Sequence, residues 1–168
     1  MAEILLAKQL NQSDFAPYGD VISVASSKKK TVINHGLTVK YSDLAKPDVN
    51  DQNGWPTLSI YRSESIKLPL KVRFMERHPL GSQAFMPLSE FSYLVAVAPC
   101  GELDTSAIEV FLAAPGQGIN FRKGTWHHFC LALKSGSEFL VVDRGGAGDN
   151  CDEMEIHDGP VIKLENHK

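Results

Sequence analysis

Short segments rich in β-branched and aromatic residues, each bounded by turn residues, recur along the chain: TLSIYR, LKVRFMERH, SQAFMPL, SYLVAVA, IEVFLAA, GINFR, WHHFCLAL and EFLVVD. In TLSIYR, GINFR and the start of LKVRFMERH apolar and polar positions alternate, the period of a strand with one face buried. Their even spacing, with no long helical pattern between them, predicts an all-β sandwich or barrel and excludes a βαβ architecture. Helical material is expected only as short pieces near the ends, as in NQSDFAPYGD, where Ser13 or Asp14 can cap a turn that Pro17 and Gly19 terminate. The basic tract SSKKKT, Ser26 to Thr31, reads as a solvated loop or hairpin end. INHGL reads as a turn from which Asn34 and His35 can reach a site in an adjacent subunit.

The same alternation sorts the polar side chains. In FMERH, Glu76 and His78 share one face while Met75 and Arg77 take the other. After the PLG turn, Gln83 and Phe85 share a face; in WHHF, His127 and Phe129 share one, with Trp126 and His128 opposite and His128 turned outward. Glu76, His78, Gln83 and His127 are therefore expected to converge in one hollow. A carboxylate with two imidazoles can hold a divalent ion, and Glu76, His78 and His127 are the candidate ligands; such a set suits nickel, iron, manganese or zinc without choosing among them. The same groups, with Asp143, can instead divide general acid and base roles if their pKa values lie apart. Gln83 both donates and accepts, Phe85 and Trp126 can wall a pocket, and Arg62, Arg77, Arg122 or Arg144 can grip a carboxylate with a planar fork. Asp143 and Arg144 face opposite sides unless the strand bulges near Gly145. A purely structural role remains open for Asp143, as partner of an arginine, for Trp126, as core, and for DRGGAGDN, as a tight turn.

Length and composition narrow the class. A chain of 168 residues suits one domain spanning 1–168. Its hydrophobic content of 43%, charged content of 22% and formal charge of −3 describe a soluble globular protein without the basic excess that nucleic acid or anionic lipid attracts. Three cysteines without C-x-x-C spacing suit a reducing compartment better than a disulfide framework or a thiolate metal site. The apolar run ILLA is too brief for a signal peptide, and no segment reaches membrane-spanning length, so a cytoplasmic protein is expected.

The order of these motifs resembles the two halves of a cupin, whose first motif reads roughly H-x-H and then Glu, and whose second reads P-x-G-x-x-H. Here Glu76-Arg77-His78 stands for H-x-H, Gln83 stands near the Glu position, and Arg122 to Gly124 replaces P-x-G before His127. A narrower resemblance covers most of the chain: INHGLTVKYSDLA, ERHPLGSQAFMPL, WHHF and VVDRGGAGDNCD are similar to the ureidoglycolate lyase family. That resemblance implies a cupin-like β-barrel (a double-stranded β-helix or jelly roll) and a homodimer, with nickel as the divalent ion if one binds and no organic cofactor. It also implies a carbon–nitrogen lyase of the amidine-lyase type that splits ureidoglycolate into glyoxylate and urea during allantoin degradation. Glu76, His78, His127 and Asp143 are then the expected catalytic residues, with Gln83, Phe85, Arg77, Trp126 and Arg144 on the substrate. A non-catalytic cupin holding a small carboxylate or sugar, and another metal-dependent cupin enzyme, are the alternatives, because one fold hosts many chemistries.

Overall fold

The computed structural model describes residues 3–164 and places nearly all of the expected strands. A seven-stranded sheet runs in the order Asp152–Glu155, Phe74–Arg77, Trp126–His127, Tyr93–Ala98, Glu109–Ala113, Lys8–Gln9, with Leu131–Ala132 also pairing with Tyr93–Ala98. Facing it is a five-stranded sheet in the order Gly19–Ile22, Gly118–Phe121, Gln83–Pro87, Ser137–Gly145, Trp55–Ser63. A three-stranded sheet of Ile4–Leu6, Val161–Lys163 and Leu70–Lys71 adds another layer. The class is the expected all-β one and is consistent with a cupin-like jelly roll. The ring is not closed, however, and facing open sheets take the place of a single barrel.

The central strand explains the layering. Every residue of Tyr93–Ala98 is buried, the mark of a strand covered on both faces. Tyr93, Val95 and Val97 meet Phe85, Ile119, Phe121, Phe139 and Val141 of the facing sheet. Leu94, Ala96 and Ala98 point the opposite way, into a second core with Val72, Met75, Trp126, Ile156 and Ile162.

Several local expectations change. The short helix Gln12–Phe15 is capped by Asn11, whose side chain accepts from the Asp14 amide at 2.9 Å, so neither Ser13 nor Asp14 is the cap. Helical turns also occur away from the ends, at Asn34–Gly36, Asp51–Asn53 and Thr105–Ala107. Gly19 is required where the chain leaves this helix, because a Cβ there would collide with the carbonyl oxygen of Asn120 across the strand pair. WHHFCLAL breaks into Trp126–His127 and Leu131–Ala132; alternation fails between them, leaving His128 buried instead of outward and Phe129 exposed. Lys29–Ile33 and Thr38–Ser42, crossing the expected loop and turn, form a hairpin whose strands pair only with each other among the described residues. No helix among the described residues is long and apolar enough to cross a membrane.

Candidate active site

Strand pairing builds the cluster. His127 lies directly opposite Glu76 in the antiparallel pair of Trp126–His127 with Phe74–Arg77, and opposed residues share a face with their Cβ atoms ~5 Å apart. His78 follows immediately after that strand, and its ring centroid lies 5.1 Å from that of His127. Potential ligand atoms of Glu76, His78 and His127 all lie within 4.8 Å of one another. From the facing sheet, Phe121 stacks flat on His127 at 4.2 Å between centroids, and Gln83 is the register partner of Phe121. Gln83 Nε2 donates to Asp143 Oδ2 at 3.5 Å, while Thr57 Oγ1 donates to the other carboxylate oxygen. Phe85 forms the wall behind, in edge contact with Tyr61 and Phe121. A cavity of about 260 Å³ opens at Glu76, lined by Phe74, Met75, Glu76, Phe129 and Glu153.

The hydrogen bonds set the protonation pattern. His78 Nδ1 lies 2.6 Å from the Asn150 carbonyl, which only accepts, so Nδ1 carries a proton and donates there. His127 Nδ1 similarly donates to the His128 carbonyl at 3.2 Å. The Nε2 atoms of both rings and Gln83 Oε1 are buried without a protein partner. Such groups cost about 1–3 kcal/mol each when left unmade, so three together mark a place built for something else. Burial, and then the neighbouring His78, push His127 down to about 3, so it is neutral at physiological pH. Its 3.7 Å approach to Glu76 is therefore not an ion pair, despite the geometry. Burial raises Glu76, His78 opposing and Glu153 reinforcing the shift.

Two carboxyl and two imidazole candidates thus lie around one cleft, whereas three other expected contacts are engaged elsewhere. Arg77 faces the opposite side of its strand, over the Trp126 ring at 4.6 Å, paired with Asp152 at 2.8 Å and donating to the Gly101 carbonyl. Trp126 belongs to the second core and donates to the same carbonyl. Arg144 donates through Nε and Nη2 to the carbonyls of Asp51 and Ala147, clamping two loops. Tyr61 and Thr57 were not anticipated. Burial, then the charge of Asp143, then that of Glu76 raise the Tyr61 phenol. The signal was present as the alternating stripe Thr57, Ser59, Tyr61 in TLSIYR. A second acidic group, Glu76 with Cys151 and Glu153, lies on the rim. Burial and three nearby carboxylates hold the Cys151 thiol protonated, which makes it a poor ligand.

His128 gives a stability test. Burial pushes it from 6.5 down to about 4, so unfolding takes up a proton that the folded protein refuses. Stability should be full above pH 6.5 and fall as the pH drops toward 4. His128→Phe should flatten part of that fall in thermal melts over this interval; an unchanged profile would assign the acid sensitivity to other groups.

Comparison with known proteins agrees with this arrangement. A family model described as ureidoglycolate lyase matches residues 2–163. A ureidoglycolate lyase of Burkholderia mallei is 47% identical over 152 residues, 90% of this chain and 89% of that protein. One of Burkholderia cepacia is 43% identical, covering 96% and 92%, and one of Pseudomonas entomophila 39%, covering 98% of both. With whole-length matches of this kind, the chain belongs to the ureidoglycolate lyase family.

Proposed function

We propose that this protein is a carbon–nitrogen lyase of the amidine-lyase type that splits ureidoglycolate into glyoxylate and urea at the Glu76, His78 and His127 cluster. The observation that carries this reading is the clustering of a half-buried carboxylate with two histidines whose Nε2 atoms are buried without a protein partner. The reaction is an elimination: the hydroxyl proton leaves, that oxygen closes a carbonyl, the carbon–nitrogen bond breaks, and the nitrogen takes up a proton. His127 is neutral with Nδ1 already donated, so it accepts from the substrate and protonates nothing. Glu76 takes the hydroxyl proton, since burial brings its pKa nearer to working pH. Once protonated, it is the acid that delivers that proton to the departing urea nitrogen. Gln83 Oε1, buried and unpartnered, accepts from the ureido N–H groups, with Asp143 and Thr57 fixing its amide.

The donor set also fits a divalent ion. Glu76, His78 and His127 would hold it, each histidine through one ring nitrogen, and would then serve as ligands in place of the base and acceptor roles above. Bound there, nickel or a similar ion supplies Lewis acidity toward the substrate hydroxyl or carboxylate. After chelation, added nickel should raise the melting temperature of the wild type but not of His78→Ala. No shift in the wild type would remove the metal.

We place this activity in the cytoplasm, in a homodimer; the free state of Cys100, Cys130 and Cys151 suits that compartment. The deciding assay follows urea and glyoxylate from ureidoglycolate and purified protein. Equal amounts of both products are expected, and no turnover with or without divalent metal would remove the lyase.

A further inference from the structure

An anionic substrate needs a cation, and among the described residues none lines the cavity at Glu76. Each arginine considered for that role is engaged elsewhere: Arg62 with Glu138, Arg77 with Asp152, Arg122 with the carbonyls of Ala16 and Pro17, and Arg144 with those of Asp51 and Ala147. Lys123 is held by Asp48 and Asp51. The mouth of the cleft is itself acidic, because Glu153 lies directly opposite Glu76 in the strand pair. Like charges in that position repel, and two apolar rings, Phe74 and Phe129, border them in the same cavity.

The hairpin has the complementary surface. Residues 28–42 carry Lys28, Lys29, Lys30 and Lys40 and no acidic residue. Its register pairs Val32 with Val39 and Lys30 with Tyr41, so these four side chains share one face. That face is left largely open to solvent: Val32 is 64% exposed, Val39 45% and Tyr41 36%. Lys29 is bridged to Asp43, whereas Lys30 has no ion pair among the described residues. At the apex, Asn34 and His35 both adopt left-handed φ, at 52° and 54°, a conformation that costs free energy in non-glycine residues and persists where surroundings fix it. An isolated two-stranded hairpin is marginal in water. Covering this one requires a surface with apolar rings and negative charge, and the mouth of the cleft on a second copy is such a surface.

We propose that in a symmetric dimer each hairpin lies over the other copy's cleft, with Val32, Val39 and Tyr41 against Phe74 and Phe129, and Lys30 meeting the substrate carboxylate. Each site is then shared between two chains, and neither copy is complete alone. The role of Lys30 rests on the lyase reading above; the docking of the hairpin does not.

Subunit mixing separates the two. Glu76→Gln inactivates the cleft and Lys30→Glu the hairpin, and Lys30 is exposed and in no ion pair among the described residues, so that fold is kept. Coexpressed at equal levels, the two inactive parents should regain about a quarter of wild-type activity, since half of the dimers are mixed and each mixed dimer has one intact site. A mixed dimer, isolated through two different affinity tags, that stays as inactive as its parents would overturn the shared site, as would full activity of Lys30→Glu alone. If the wild type itself leaves ureidoglycolate untouched, the lyase reading fails, and hairpin docking is then judged by mass in light scattering. Val32→Glu combined with Val39→Glu should yield monomers; a dimer unaffected by both changes would overturn the docking.

Discussion

Glu76→Gln is expected to lower kcat by about 10²- to 10⁴-fold, the usual contribution of a positioned acid or base, while leaving the melting temperature unchanged or slightly raised. Glutamine keeps the shape and removes the charge. The structure sets the sign of the stability effect: Glu76 faces Glu153 across the strand pair, and its carboxyl is already raised by burial, so deleting its charge relieves repulsion and desolvation. A residue serving only to hold the sheet would lose stability and turnover together. Steady-state kinetics beside a thermal melt distinguishes the two, and matched losses would move Glu76 from the chemistry to the framework.

Arg144→Lys is expected to lower stability by about 2–4 kcal/mol, from the loss of two or more charge-assisted hydrogen bonds to half-buried and exposed loop carbonyls, or roughly 5–15 °C in melting temperature for a chain of this size. The guanidinium donates to Asp51 at 3.0 and 2.7 Å and to Ala147 at 2.8 Å, and an ammonium cannot reproduce that fork. Neighbouring backbone is fitted to it: a Cβ on Gly81 would lie 2.7 Å from Arg144 Cβ. The loop clamped at Ala147 continues to Asn150, whose carbonyl holds His78 Nδ1 and whose side chain accepts from the Leu80 amide. Turnover should therefore fall together with the melting temperature. A raised KM at unchanged melting temperature would instead return Arg144 to the substrate carboxylate.

These two residues mark the boundary of what can be read without coordinates. Glu76 and His78 could be placed on one face from FMERH alone, and SYLVAVA could be read as a strand, whose burial on both sides the structure then showed. Arg144 could not be assigned, because its partners are main-chain carbonyls of loops about 93 and 3 residues away, and carbonyls carry no side-chain signature.

Alternation fails where a strand ends. His128 was expected to face outward, yet pairing stops after His127, so the next two side chains follow the local path of the chain, His128 into the core and Phe129 into water. Tyr61 was visible as part of a polar stripe, but nothing in TLSIYR tells that this stripe looks toward Asp143 and Glu76.

The sequence by itself determined the all-β class, the faces on which Glu76, His78, Gln83 and His127 project, and the family, since side-chain period and local motifs are properties of contiguous residues. Only the tertiary structure decided that His127 lies opposite Glu76, that the facing sheets stay open, and that the arginines considered are engaged away from the cleft. The reason is that a period of two sets the direction of a side chain and leaves its partner open; partners follow from register between segments far apart in the chain, which packing of the whole selects.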